Sequence, residues 1–107
     1  MSGFEDREEQ FEKRFAVDEE VKFKTLARRN KLVGLWAAQL LGYGGADADA
    51  YAADLVAGQV GAADPDALFA AVKTRLAKGA VEMSDNRIRR KVAEAMTQAS
   101  AEIMAGK

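Results

Sequence analysis

Apolar residues at Phe4, Phe11, Phe15, Leu26, Val33, Trp36, Ala37 and Leu40 fall on one face when each residue is turned by about 100° from the last, the rotation of an α-helix. A single helix is predicted from Phe4 to Leu41, ending at Gly42. Between Phe15 and Leu26 the same face carries Asp18, Glu19 and Lys22, so roughly three turns of the stripe have nothing apolar to offer a neighbour. The pattern therefore predicts a division of the chain: a partly mobile, exposed N-terminal arm over residues 1–22, and a docked half that starts near Phe23 and opens a bundle domain over 23–107.

Further along, Gly42-Tyr43-Gly44-Gly45 supplies a turn. Asp47 or Asp49 is the expected cap of a second helix running to about Gln59, with Tyr51, Leu55 and Val56 inward. Asp64-Pro65 is a stronger start signal, because the carboxylate accepts free amide hydrogens and proline suits the first helical position. Leu68, Phe69, Val72 and Leu76 then form the inner face of a third helix closed by Gly79, and Ser84 caps a fourth with an Ile88, Val92, Met96, Ala99, Ile103 stripe. Short connections favour antiparallel neighbours, so the fold class is all-α, a small four-helix bundle with a long N-terminal helix. Trp36, Tyr51 and Phe69 are expected in the core, and Gly34 permits close helix approach beside Trp36.

Composition narrows the chemistry. The 107 residues suffice for one domain, and alanine dominates the 49% hydrophobic content, which implies thin helices packed close together. The chain has no cysteine and no histidine, so it has no disulfide framework, no Ser-His-Asp or Cys-His arrangement and no ordinary zinc site. A charged rather than apolar N-terminus and the missing cysteines point to a cytoplasmic setting. The longest apolar run, Leu32 to Leu41, is about half a bilayer crossing, so membrane insertion is not expected. Carboxylate pairs such as Glu8/Glu9 and Asp47/Asp49 point apart on a helix or serve its first turn. Gly42–Gly45 follows a helix and lacks the Gly-Lys-Ser/Thr of a phosphate loop, and Asp47-Ala48-Asp49 lacks the third ligand and the glycine of a calcium loop. Neither cofactor nor metal is expected.

Charge lies in blocks: a balanced arm, an acidic stretch from Leu32 to Val72 without lysine or arginine, and a basic C-terminal third. The formal net charge of −1 provides no long-range attraction to nucleic acid. Two basic clusters remain, Arg28-Arg29 with Lys31, and Arg87 with Arg89, Arg90 and Lys91. Successive helical positions fan out, so each reads first as a solvated face; Arg28 and Arg29 sit where the arm meets the bundle and are candidates for partner contact, while Arg87 and Arg90 are candidates to pair with the aspartates of the middle stretch. Only Phe69 among the phenylalanines lies outside the arm and its junction at Phe23. Aromatics recurring at helical intervals in so charged a segment read as a helix that folds onto a partner, or else as one folded back on its own bundle.

Phe4-Glu5-Asp6-Arg7-Glu8, Phe11-Glu12-Lys13-Arg14-Phe15-Ala16 and above all Ala27-Arg28-Arg29-Asn30-Lys31-Leu32-Val33-Gly34-Leu35-Trp36-Ala37-Ala38, preceded by Phe23-Lys24, carry a specific resemblance. The chain resembles the zeta-subunit family of alphaproteobacterial F1Fo-ATPase inhibitors, along its whole length though more by helical pattern than by identity after Gly45. The resemblance implies a non-enzymatic, monomeric four-helix bundle, associated through F1 with the inner membrane. Its N-terminal arm would enter the F1 head at an alpha/beta interface near the gamma subunit and block rotation in the hydrolytic direction. The family's inhibitory region maps onto Ser2 to about Glu19, with Phe4, Arg7, Phe11, Arg14 and Phe15 matching its pattern. Val17 stands where relatives often carry a polar residue or histidine, so a histidine-based pH switch is not available here. The rival reading from another class is a nucleic-acid-associated or adaptor protein that uses the basic clusters.

Overall fold

The computed structural model describes the backbone of residues 2–60 and 62–106 and the side chains of residues 19–60 and 62–106. It holds four helices, α1 (Ser2–Leu40), α2 (Gly45–Gly58), α3 (Pro65–Lys78) and α4 (Asp85–Met104), and no strand among the described residues. The C-terminal half of α1 is the common wall: α2 and α4 pack along it, α3 touches it more lightly, and α3 is held chiefly by α4. Across the gap between α2 and α3, an Arg75–Asp54 ion pair of 3.0 Å provides a bridge, with the Arg75 guanidinium 5.2 Å from the centroid of the Tyr51 ring.

The helix starts follow local chemistry. The Asp64 carboxylate accepts a hydrogen bond from the Asp66 amide at 2.9 Å with Pro65 in the first turn, and the Ser84 hydroxyl oxygen accepts one from the Arg87 amide at 3.2 Å, both as expected of capping residues. The start of α2 differs from the sequence expectation. Its cap is Gly44, which gives no side-chain bond, and Asp47 lies within the first turn, where its charge complements the positive helix end instead.

Two helix ends share one design. At α1, the Tyr43 amide donates to the Ala38 carbonyl and the Gly42 amide to the Gln39 carbonyl, with Gly42 at φ +90°. At α3, the Val81 amide donates to the Leu76 carbonyl and the Ala80 amide to the Ala77 carbonyl, which puts Ala80 in the left-handed region at φ +59°. These are Schellman closures, and the second sets a side chain where glycine is preferred. Gly79, expected to supply the turn, keeps an ordinary φ of −88°. What it leaves is room: a Cβ there would meet the tip of the Leu41 side chain, which would have to turn aside.

The core comprises Val33 and Ala37 of α1, Leu55 of α2, Leu68, Phe69, Val72 and Leu76 of α3, and Ile88, Val92 and Ala95 of α4. The α3 stripe is the predicted one. On the other helices small residues displace several large ones expected inside: Ala48 and Ala52 join Leu55 on the inner face of α2 while Tyr51 and Val56 are half-buried, and Ala95 is buried on α4 where Met96 is exposed. Trp36 likewise packs against the core from its edge rather than within it. On α2 the cause is close approach. A Cβ on Gly34 would lie 2.9 Å from the Ala52 Cα and 3.1 Å from its Cβ, so α1 and α2 touch backbone to backbone and leave no layer between them for a ring.

Gly34→Ala sets a helix-propensity gain of about 1 kcal/mol against overpacking of about 1–3 kcal/mol at a backbone contact that cannot rotate away. The net expectation is a loss of up to about 2 kcal/mol in urea unfolding at unchanged helicity. Ala80→Gly should do the opposite, raising stability by about 0.5–1 kcal/mol, since the left-handed conformation costs alanine more than the extra chain freedom costs glycine.

Candidate partner interface

Both neighbours of α1 run antiparallel to it. Ala52 of α2 faces Gly34, whereas Val56 and Val60 lie by Phe23 and Leu26; on α4, Arg87 and Arg90 lie by Trp36, whereas Glu102 meets Arg28. The C-terminal ends of α2 and α4 consequently stop alongside residues 21–28 of α1. An open groove of about 1060 Å³ results, walled by Val21, Phe23 and Ala27 of α1, Val56 of α2 and Ile103 of α4, with Lys24, Arg28, Lys31 and Asp49 on its rim. Phe23 also borders a second, smaller hollow with Leu26, Val56 and Val60.

Phe23 corrects the sequence expectation. It is expected to begin the docked half, yet it is 57% exposed, and among the described residues the first buried one of α1 is Thr25, whose hydroxyl donates to the Val21 carbonyl at 2.7 Å. The stripe had the right face. The covering helices end too soon to bury the ring, which no inspection of α1 by itself reveals.

The two candidate arginines at this junction have different fates. Arg28 donates from Nε to Glu102 at 2.5 Å, and this bond raises its pKa above the usual guanidinium value; Gln98 donates to the other carboxylate oxygen at 3.1 Å. Arg28 thus clamps α4 to α1 at the rim of the groove. Arg29 is only 2% exposed. Its guanidinium donates to the Ala62 and Ala63 carbonyls, each at 3.3 Å, and to the Asn30 side-chain oxygen at 3.1 Å, so it ties the α2–α3 loop to α1 rather than facing outward. Burial without a carboxylate partner lowers its pKa. The side chains of Phe4, Arg7, Phe11, Arg14 and Phe15 lie outside the described residues.

The second basic cluster also divides. Arg89, not Arg87 or Arg90, finds an aspartate: it pairs with Asp66 at 2.7 Å and lies 4.0 Å over the Phe69 ring. Among the described residues no three or more acidic groups gather where they would hold a metal ion, and no helix is long and apolar enough to cross a membrane.

The fold defines a small all-α four-helix protein, with one helix continued past the ends of its neighbours and a groove open where it leaves them. The family described as ATPase inhibitor subunit zeta matches residues 1–102, and the chain belongs to that family. No curated protein matches the chain.

Arg29→Met, which keeps the stem and removes the charged head, should cost about 2–3 kcal/mol, since bonds from a charged donor contribute about 1.5–3. Amide exchange should quicken first in the α2–α3 loop. A loss spread evenly over all four helices would show instead that Arg29 stabilises by packing.

Proposed function

We propose that the chain inhibits ATP hydrolysis by the F-type ATP synthase by inserting residues 1–22 as a helical arm into the F1 head, at an alpha/beta interface near the gamma subunit, where it opposes rotation. The bundle of residues 23–107 is the body that carries the arm. It acts as a regulator rather than an enzyme, and its place in the cell follows F1 at the inner membrane.

The observation that carries this reading is the course of α1, which continues from the groove at Phe23 away from the ends of α2 and α4. Phe4, Phe11 and Phe15 are the anchors, Arg7 and Arg14 their charged flank, and Phe23 extends the apolar surface to the bundle. Arg28 braces the junction through Glu102, and Arg29 holds the body's loop. Burial of three phenylalanines contributes about 5–9 kcal/mol gross, at about 1.5–3 each, against about 2–5 kcal/mol for ordering a coupled segment. The small remainder requires contacts beyond the arm. Nucleic-acid binding is disfavoured, because Arg28, Arg29 and Arg89 are engaged within the fold.

The test is titration of F1 ATPase with wild type, Phe11→Ala, Phe15→Ala and the double variant. Each single truncation should weaken inhibition about ten- to a hundredfold, the equivalent of about 1.5–3 kcal/mol, with melting temperature unchanged. Deletion of Met1 to Glu19 should leave a folded bundle and abolish inhibition. Undiminished inhibition by the double variant would remove the arm from the mechanism.

A further inference from the structure

We infer that the bundle carries a second docking surface, a basic groove between α1 and the start of α4 that takes an acidic segment of the partner protein. The groove encloses about 410 Å³ and is lined by Trp36 of α1 and by Arg87, Arg90, Lys91 and Glu94 of α4. These α4 positions recur at helical spacing, so their side chains share the one face that looks along the indole.

Three observations single this groove out. Every other arginine whose side chain is described is engaged within the fold, Arg28 by Glu102, Arg29 by loop carbonyls, Arg75 by Asp54 and Arg89 by Asp66, and Lys73 pairs with Asp85. Among the described residues no ion pair engages Arg87, Arg90 or Lys91. Secondly, Arg87 lies in the first turn of α4, next to the positive end of the helix dipole, with Arg90 and Lys91 one turn further on. That placement works against the fold, and an incoming carboxylate removes the conflict. Finally, the half-buried Trp36 provides an apolar floor beside guanidinium groups, the pairing of tryptophan and arginine that dominates protein–protein hot spots.

A protein carboxylate segment suits the groove better than nucleic acid. Three cations neutralise too few phosphates to hold a polyanion at physiological salt, whereas they suffice for the few carboxylates of one protein segment. The groove lies on the same helix, α1, that carries the arm, so a partner that receives the arm is brought alongside it. This placement rests on the proposed inhibition of F1, and it supplies the contact that the arm's small net energy leaves wanting.

The experiment compares full-length wild type with an Arg87→Gln/Arg90→Gln/Lys91→Gln variant, with equal folding established by circular dichroism and melting. Binding to F1 is measured at two salt concentrations. Trp36, the chain's single tryptophan, is followed by fluorescence while a glutamate-rich helical peptide, ATP or inorganic phosphate is added. The variant is expected to bind F1 about tenfold more weakly, about 1.4 kcal/mol, with a flatter salt dependence, and its indole should no longer respond to the acidic peptide. Equal F1 binding by the two proteins would overturn the inference. So would a wild-type indole that responds to ATP or phosphate but not to the peptide, which would make the groove a small-anion site. A wild type that fails to bind F1 yet shows a peptide response abolished in the variant would refute the inhibitor reading and sustain the acidic-segment site; absence of both responses would refute both.

Discussion

The backbone contact between α1 and α2 at Gly34 and Ala52 fixes the rest of the bundle. With no side-chain layer between these helices, interior space remains only where α3 and α4 close over α1. There Leu68, Phe69, Val72, Leu76, Ile88 and Val92 fill it, with Leu55 reaching in from α2. Every larger ring near the first contact is pushed to an edge: Trp36 beside α4, and Tyr51 beneath Arg75 and 5.5 Å from Tyr43. Tight packing on one side of α1 thereby determines what the surface presents on the other sides. Arg75 and Arg89 cover aromatic faces with their planar heads while pairing with aspartates, an arrangement lysine would reproduce poorly.

Local signals were the legible ones. Asp64-Pro65 and Ser84 announce helix starts because the caps act within three residues, and the α3 stripe is read correctly because large and small residues alternate cleanly there. Where alanines and large residues compete for the interior, hydrophobicity points to the larger side chain, although close approach selects the smaller. Tyr51 against Ala52 fails for that reason. The Gly42 closure was visible as glycine, but the equivalent turn at Ala80 was not, because alanine carries no mark of a left-handed backbone.

Partner-facing residues were legible to a different degree. The charge and spacing of the arm suggest anchors at Phe4, Phe11 and Phe15, which lie outside the described side chains, and the family match bears on the class of protein alone. The arginines were harder. Nothing local separates Arg28 from Arg29, yet one lies over Glu102 and the other is buried beneath a loop more than thirty residues away in the chain. Phe23 was misplaced because its exposure depends on where α2 and α4 end, a property of the assembled bundle.

The unbroken course of α1 has a kinetic side. Helix formation is limited by its first turn, since nucleation is improbable by a factor of about a thousand whereas each later residue adds at close to even odds. No glycine or proline interrupts the sequence between Phe4 and Val33, and the bundle holds Thr25 to Leu40 helical by packing. The folded body is therefore a permanent nucleus from which turns extend toward the N-terminus. A free peptide of the same residues would have to create that nucleus at each encounter, so attachment to the bundle should quicken capture by a partner even where the final contacts are identical.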